Sequence, residues 1–362
     1  MTLTATDYMD RALFLAERGR GRTSPNPLVG AVVVSPDGIV VGQGFHERAG
    51  DAHAEVRALA MAGPRARGAT MFCTLEPCCH RGRTGPCVAR VVEAGIARVV
   101  AASDDPNPLV DGRGFAYLRA HGVEVEVGVG RSAAVALNQP FFTRMREGRP
   151  FVIMKAATSR DGRIAAAPGQ RMQLTSQAAD RHAHRFRAEV DAIGVGVGTI
   201  VADDPLLTAR HVYRERPLTR VIFDRSLRTP PASRVLSTQA AGPVIIVTTA
   251  AGAAHAALRM RLEDRGAIIE IARDGSFRAA LRPLGDREIG SLLLEGGAAV
   301  HAAAWDEGLV DYVRLYVTPH VIGEGGVPLL DDRPFSSASL LGRHAEALGP
   351  DELIEGYVHG PR

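Results

Sequence analysis

The sequence predicts an α/β protein of two domains, and three observations carry that reading. At 362 residues the chain is long for a single core, and a hydrophobic content of 46% is ample for two. Short apolar runs alternate with amphipathic stretches through both halves, the pattern of strands covered by helices. Between 137 and 150 that alternation lapses into Asn138-Gln139-Pro140 and Arg144-Met145-Arg146-Glu147-Gly148-Arg149-Pro150. The lapse puts the boundary near residue 147, giving domains 1–147 and 148–362. Aromatic residues make up only 5%, so aliphatic side chains must fill both cores.

Residues 7–18 read as an amphipathic helix with Thr6 or Asp7 as cap. After the Pro25-Asn26-Pro27 loop, 29–34 reads as a buried strand and Ser35-Pro36-Asp37-Gly38 as a turn. Residues 39–45 return as the hairpin partner. A helix from His53 to about Ala62 stops at Gly63-Pro64. Strands follow at 69–74, 98–102 and 123–127, with helices after Pro86 and over 115–121. In the second half, strands are expected at 151–157, 190–196, 218–224, 243–248, 267–271, 290–295 and 311–318. Helices are expected at 176–187, 252–265, 276–283 and 298–305.

Forty-three basic residues against 40 acidic ones leave a net charge of +3, and the basic residues are scattered. Without a basic stripe there is no argument for a nucleic-acid partner. No apolar run reaches the roughly 18 residues that span a bilayer. The N-terminal stretch lacks the apolar core of a signal peptide. The expectation is a cytoplasmic enzyme acting on a small molecule, with neither a membrane nor a nucleic acid as partner.

All four cysteines (Cys73, Cys78, Cys79 and Cys87) fall within fifteen residues, where a disulfide framework would spread them. Cys73 lies in an apolar, strand-like run and reads as a small buried hydrophobe. Cys78 and Cys87, with His53 of His53-Ala54-Glu55, supply one imidazole and two thiolates, a three-ligand zinc shell. Such a shell leaves a fourth position for water, whose pKa zinc lowers to about 7. Glu55, two residues after the histidine, can sit beside that water without ligating the metal, as the proton-shuttling Glu does in zinc deaminases. The second thiolate follows the first after eight residues rather than the two of the usual deaminase pattern. The plainer alternative is a closed structural site with Cys79 or His80 as fourth ligand; His-x-Glu beside Pro-Cys favours the catalytic one.

In the second half, Gly194-Val195-Gly196-Val197-Gly198-Thr199 is glycine-dense but fails the G-x-G-x-x-G fingerprint. Leu292-Leu293-Leu294-Glu295-Gly296-Gly297-Ala298 is an apolar strand passing through two glycines into a helix, whose exposed amides suit a phosphate. By pattern alone Asn26 could be a turn residue, His46 a surface histidine, Lys155 a snorkelling lysine and Asp203 a cap.

His53-Ala54-Glu55-Val56, Thr74-Leu75-Glu76-Pro77-Cys78 and the glycine-containing loop ending in Pro86-Cys87 resemble the deaminase half of the bifunctional riboflavin-biosynthesis deaminase/reductase family. Thr23-Ser24-Pro25-Asn26-Pro27-Leu28-Val29-Gly30 and Gly42 to Gly50 are similar to it too. Its reductase half is resembled by Lys155…Ser159-Arg160-Asp161-Gly162-Arg163, by Ala202-Asp203-Asp204-Pro205 through Arg210, and by Glu295-Gly296-Gly297.

The resemblance implies a cytidine-deaminase-like three-layer α/β/α domain followed by a dihydrofolate-reductase-like α/β domain. It implies one zinc ion and NADPH as cofactors, a phosphoribosylaminopyrimidine as substrate, and a homo-oligomer, dimer or tetramer. It implies substrate contacts for Asn26, which would hold the pyrimidine, and for His46, His80 and Arg83. In the second domain it implies nucleotide contacts for Ala157, Thr199, Asp203 and the stretch from Gly297 through Ala298 and Ala299 to Ala303. Arg187, Leu207, Arg210 and Glu295 would meet the substrate, the two arginines being suited to its phosphate. Lys155 and Asp203 would assist near the reacting carbon.

Two departures mark this chain. Where the family often has Ser-x-Trp, it has Arg171 and Gln173, which take over the expected substrate and cofactor positions. Where the family tends to have Asp-Ser, it has Asp224-Arg225, and Arg225 is expected to pair with the 2′-phosphate of NADPH. The leading reading is therefore deamination followed by reduction. Its alternatives are an active deaminase fused to a diverged reductase-like domain with another substrate or none, a nucleic-acid-editing deaminase, and a zinc-stabilised binding protein.

Overall fold

Residues 3–80, 85–170, 172–333 and 335–360 are described by the computed structural model, which divides into two units, 1–147 and 148–360. Helix α1 (Ala5–Glu17) begins two residues before the expected start, because Thr4 and Asp7 cap each other's backbone amides in a capping box. Strand β1 (Gly30–Val34) is buried throughout and turns back as β2 (Val40–Phe45). Helix α2 (Ala54–Ala62) lies directly against β2. A Cβ at Gly42 would come within 2.1 Å of the Ala58 carbonyl, and one at Gly44 within 2.8 Å of the Ala54 carbonyl. The glycine pair of β2 is thus a packing requirement that fixes where α2 starts.

The unit continues with β3 (Thr70–Cys73), α3 (Cys87–Glu93), β4 (Arg98–Ala101), α4 (Arg113–Ala120) and β5 (Glu124–Val127). The sheet order is β2-β1-β3-β4-β5, with β1 antiparallel to both neighbours and β3 to β5 parallel. Ala58, Val88, Val91, Phe115 and Leu118 of α2, α3 and α4 cover one face. Met9, Ala12 and Leu15 of α1 cover the other, with Ala134 of helix α5 (Arg131–Leu137). The result is the expected three-layer α/β/α sandwich. Helix α6 (Gln139–Glu147) corrects the pattern lapse read over 137–150. Pro140 stands in its first turn, where a missing N–H costs nothing. Its Phe141 and Phe142 pack with Leu75 in a small separate cluster, so the helix shows no stripe matched to the main core.

The second unit runs β6 (Phe151–Thr158), β7 (Arg163–Ala165), α7 (Gln177–Arg187), β8 (Ala192–Gly196), α8 (Val197–Asp203) and β9 (Thr219–Phe223). It continues with β10 (Val244–Thr249), α9 (Ala250–Ala253), α10 (Ala256–Asp264), β11 (Ala267–Ala272), α11 (Phe277–Asp286), β12 (Ser291–Gly296) and α12 (Ala298–Asp306). It closes with β13 (Tyr312–Val317), β14 (Val327–Asp332), β15 (Leu341–Leu348) and β16 (Asp351–Tyr357). Nine strands form one sheet in the order β11-β10-β9-β8-β12-β6-β13-β16-β15, parallel as far as β13 and antiparallel beyond it. The first strand of the unit, β6, therefore sits centrally between β12 and β13.

Three features depart from the sequence reading. The expected helix 252–265 is two, α9 and α10, because Gly252 packs on the Arg225 carbonyl (a Cβ there would lie 2.4 Å away) and fixes the first turn to the end of β9. The glycine-dense 194–199 spans the end of β8 and the start of α8. Strands β7, β14, β15 and β16 lie outside the expected set; β7 and β14 pair as a small separate sheet, and β15 is an exposed edge whose polar residues hide the strand pattern.

Asp311 anchors the start of the sheet. Its carboxylate accepts two bonds from Arg149 (2.6 and 2.8 Å) and one from the Val152 amide (2.8 Å), all of them buried. Asp311→Ala would remove a buried carboxylate that accepts three hydrogen bonds, two of them from a buried guanidinium, a loss of about 3–5 kcal/mol. A clear drop in the urea midpoint, followed through the single tryptophan, Trp305 of α12, is expected; an unchanged midpoint would refute the anchoring role.

Candidate active sites in the two units

The first site forms where strands give way to helices. His53 caps the start of α2 in extended conformation, Cys78 follows β3, and Cys87 opens α3. His53 Nδ1 lies 3.2 Å from Cys87 Sγ and 3.5 Å from Cys78 Sγ, and the three ligand atoms all fall within 4.8 Å of one another. A hydrogen bond from Cys87 and the nearby imidazole hold the Cys78 thiol down at about 4, and its hydrogen bond to Cys78, with burial, pushes the Cys87 thiol up. A dication bound there would deprotonate both. The donor set therefore fits zinc.

Glu55, 3% exposed, has a carboxylate oxygen, Oε2, that is buried with no hydrogen-bond partner among the described residues. Burial, with Cys78 close by, pushes its carboxyl up to about 6. That oxygen is an open acceptor beside the metal-ligand set. Beside it, His46 packs edge-on to His53, ring centroids 5.3 Å apart. Asn26 Nδ2 donates to His46 Nε2 at 3.1 Å, and His46 Nδ1 faces the Ala52 carbonyl at 3.4 Å. Burial holds His46 neutral by lowering its pKa. Asn26, His46, His53, Glu55, Cys78 and Cys87 thus come together. His80 adjoins them in sequence, and its Nδ1 is buried without a partner among the described residues.

The second unit gathers its polar groups at the carboxyl ends of the parallel strands, where open α/β sheets bind ligands. Glu295, near the end of β12, takes a bidentate pair from Arg187 of α7 (2.7 and 2.6 Å). Lys155 of β6 lies 3.9 Å from Glu295 and over the Tyr316 ring. Burial alone would raise the Glu295 carboxyl, but Arg187 and Lys155 outweigh it and hold it at about 2. Burial lowers the Lys155 ammonium. Arg187 also donates to the Thr208 carbonyl (2.9 Å), so its guanidinium is largely committed inside the protein. The Arg210 side chain is exposed, and its amide donates to His184 Nδ1 at 3.1 Å.

Next to this network, Gly296 and Gly297 meet α8, where a Cβ at 296 would lie 2.9 Å from the Thr199 hydroxyl. A cavity of about 870 Å³ opens along the ends of β8 to β11 and is lined by Gly196, Arg225, Arg228, His255, Ala299 and Ala303, among others. Its size, the glycine turn at a helix start and two arginines fit a dinucleotide phosphate.

The family model for the RibD C-terminal domain matches residues 150–354, more than half the chain. The chain belongs to the RibD family. The model of the cytidine and deoxycytidylate deaminase zinc-binding region matches residues 3–103. The riboflavin biosynthesis protein RibD of Aquifex aeolicus is 41% identical over 354 residues, covering 96% of this chain and 97% of its own. That of Escherichia coli is 40% identical, covering 87% and 88%. Among solved structures, Acinetobacter baumannii RibD superposes with a TM-score of 0.85 at 36% identity, over 97% and 98% of the two chains. A Thermotoga maritima diaminohydroxyphosphoribosylaminopyrimidine deaminase/5-amino-6-(5-phosphoribosylamino)uracil reductase does so at 0.81 and 33%, over 97% of each chain.

Within this RibD-family fold, the remaining expected residues divide clearly. Ala157 pairs with Tyr316 across β6 and β13, Leu207 is buried with a positive φ of 52°, and Asp203 ends α8. Asp204, directly after it, shapes the loop by accepting the Arg234 amide at 2.8 Å. Gln173 stands apart from the cavity-lining residues, bonded to Asp180 (2.8 Å) and the Thr175 carbonyl (3.2 Å). Arg83 and Arg171 lie outside the described residues. Sequence reasoning passed over His184, one turn before Arg187 and kept neutral near pKa 4 by burial and by Arg187 and Arg210. The i,i+3 spacing was its signal.

The depressed Glu295 carboxyl makes a pH prediction. Its stabilisation is full above about 4.5, the ordinary value, and is lost as pH falls through about 2. Arg187→Ala removes the larger opposing charge, so acid unfolding of the second unit, read from Trp305 fluorescence, is expected to shift to higher pH. An unmoved acid midpoint would dismiss the pair as a stabilising element.

Proposed function

We propose that residues 1–147 hydrolytically deaminate 2,5-diamino-6-(5-phosphoribosylamino)pyrimidin-4(3H)-one, and that residues 148–362 use NADPH to reduce the ribosyl group of the product to ribityl. The observation that carries this reading is the unpartnered Glu55 oxygen beside a His-Cys-Cys donor set, in a chain whose RibD relatives match it across both halves. His53, Cys78 and Cys87 would hold zinc, which would supply Lewis acidity toward a water near neutral pH, and NADPH would supply the reducing equivalents for the sugar carbon.

The protein's own groups do the rest. Glu55 Oε2 takes the proton of the attacking water and returns it to the departing amine; a carboxyl raised by burial suits both duties. Neutral His46, accepting from Asn26 Nδ2, orients that amide so that Asn26 Oδ1 is left to accept from the pyrimidine. His80 and Arg83 complete the substrate side. In the second unit Lys155, its ammonium lowered by burial, gives a proton at Nζ as the sugar ring opens, assisted by Asp203. Glu295 and Arg187 act as one fixed pair that orients Lys155, and phosphate recognition rests chiefly on the exposed Arg210. Ala299, Arg225 and Arg228 line the cavity; in this reading the two arginines face the 2′-phosphate, and Ala157, Thr199, Gly297 and Ala298 complete the nucleotide side. A cytoplasmic homo-oligomer, dimer or tetramer, belongs to the same reading, and sedimentation measures its size.

Two variants test the halves separately. Glu55→Gln should keep one zinc per chain and lose ammonia release by at least about 100-fold, the scale of a general acid–base contribution. A fully active Glu55→Gln enzyme would overturn the first half. Arg225→Ala should erode the preference for NADPH over NADH in kcat/KM by about tenfold or more, the worth of one charge-assisted contact. An unchanged preference removes Arg225 from phosphate recognition.

A further inference from the structure

Glu76, two residues before Cys78, is a buried carboxylate that neither the metal nor the deamination chemistry uses. It is 3% exposed, and among the described residues no basic side chain pairs with it. Its two oxygens instead accept four backbone N–H groups. Oε1 takes those of Gly114 (2.8 Å) and Phe115 (3.2 Å); Oε2 takes those of Gly112 (3.0 Å) and Asp105 (3.2 Å). Gly112 is the N-cap of α4 and has no side chain with which to cap it, while Gly114 and Phe115 belong to its first turn. The donors that a helix start leaves open are therefore satisfied by a charge from 36 residues earlier, at the positive end of the helix dipole.

The contact is close as well as polar. A Cβ at Gly114 would stand 2.3 Å from the Pro77 carbonyl oxygen and 2.9 Å from Glu76 Oε1, so α4 touches this segment backbone to backbone. Cys78 comes next in the chain. On its other side, the Val88 amide donates to the Cys78 carbonyl at 3.2 Å and the Cys87 amide to its sulfur at 3.4 Å, both from the first turn of α3. Cys78 is thus held between two helix starts, and Glu76 provides the hold on the α4 side.

We propose that Glu76 is a positioning residue of the zinc centre: by clamping Glu76-Pro77 to α4 it presets the Cys78 sulfur opposite His53 and Cys87 before metal binds. This rests on the zinc reading of the first unit. An amide in place of the carboxylate would turn an NH₂ toward amides that are themselves donors, breaking half the clamp while keeping its size.

The test compares Glu76→Gln with Leu118→Ala, which weakens the same helix from its buried face without touching the carboxylate's four donors. Zinc affinity is measured by competition with a chromogenic chelator, apo-protein stability by thermal melting, and site geometry by the absorption of the cobalt-substituted protein. Glu76→Gln should weaken zinc binding by about 10- to 100-fold, the scale for groups that orient metal ligands, and alter the tetrahedral cobalt bands. Leu118→Ala should lose apo stability yet keep zinc affinity and cobalt spectrum close to wild type. Wild-type affinity in Glu76→Gln, or an equal loss in Leu118→Ala, would overturn the clamp. If Glu76→Gln does not fold, Glu76→Asp, which keeps the charge one methylene short of the amides, is held to the same comparison. Wild-type protein that takes up no zinc would instead overturn the metal centre, and the clamp with it.

Discussion

A charge buried at the end of a strand must find a partner or give up its charge, and both units of this protein are arranged around that constraint. In the first unit the Cys78 and Cys87 sulfurs lie together with His53 as a donor set suited to a cation, and Glu76 is satisfied by four amides. In the second, Glu295 stays ionised only because Arg187 grips it in two places with Lys155 beyond. In the first unit a Glu55 oxygen beside the donor set is left without a partner among the described residues; in the second, Lys155 lies 3.9 Å from Glu295.

The two scaffolds meet the constraint differently. The first uses close backbone contacts, α2 on β2 through Gly42 and Gly44 and α4 on Pro77 through Gly114, so that helix starts are delivered to one sheet edge with little freedom. The second uses a broad parallel sheet whose strand ends each present one or two residues: Lys155 and Ala157 on β6, Glu295 on β12, Arg225 after β9. Catalytic metal ligation demands tight geometry, and the small sandwich supplies it. A long dinucleotide demands length, and a row of strand ends supplies that.

Much of this was legible in the sequence. The metal triad and Glu55 are written locally, as His-x-Glu and Pro-Cys, and the fold brings the three ligand atoms within 4.8 Å of one another. The sandwich layers follow from periodicity. What escaped notice depends on long-range satisfaction. His184 looks like any helix histidine until its Nδ1 is seen taking the Arg210 amide, and Arg187 looks free for phosphate until Glu295 is found across 108 residues. Helix α6 escaped because its aromatic pair packs into a pocket of its own, and β15 because an exposed edge strand carries polar residues on both faces.

The central place of β6 in the nine-stranded sheet bears on how the polypeptide is made. Its two neighbours, β12 and β13, begin only at Ser291 and Tyr312, so the strand carrying Lys155 leaves the ribosome long before either exists. At about 5–20 residues per second, it waits on the order of ten seconds with both edges unpaired. The amino-terminal sandwich draws all five strands of its sheet and its covering helices from residues before 148, and these are complete before that interval begins. Synthesis therefore presents the cell with a finished first half tethered to an apolar strand in need of shelter, and a chaperone has its most useful moment there.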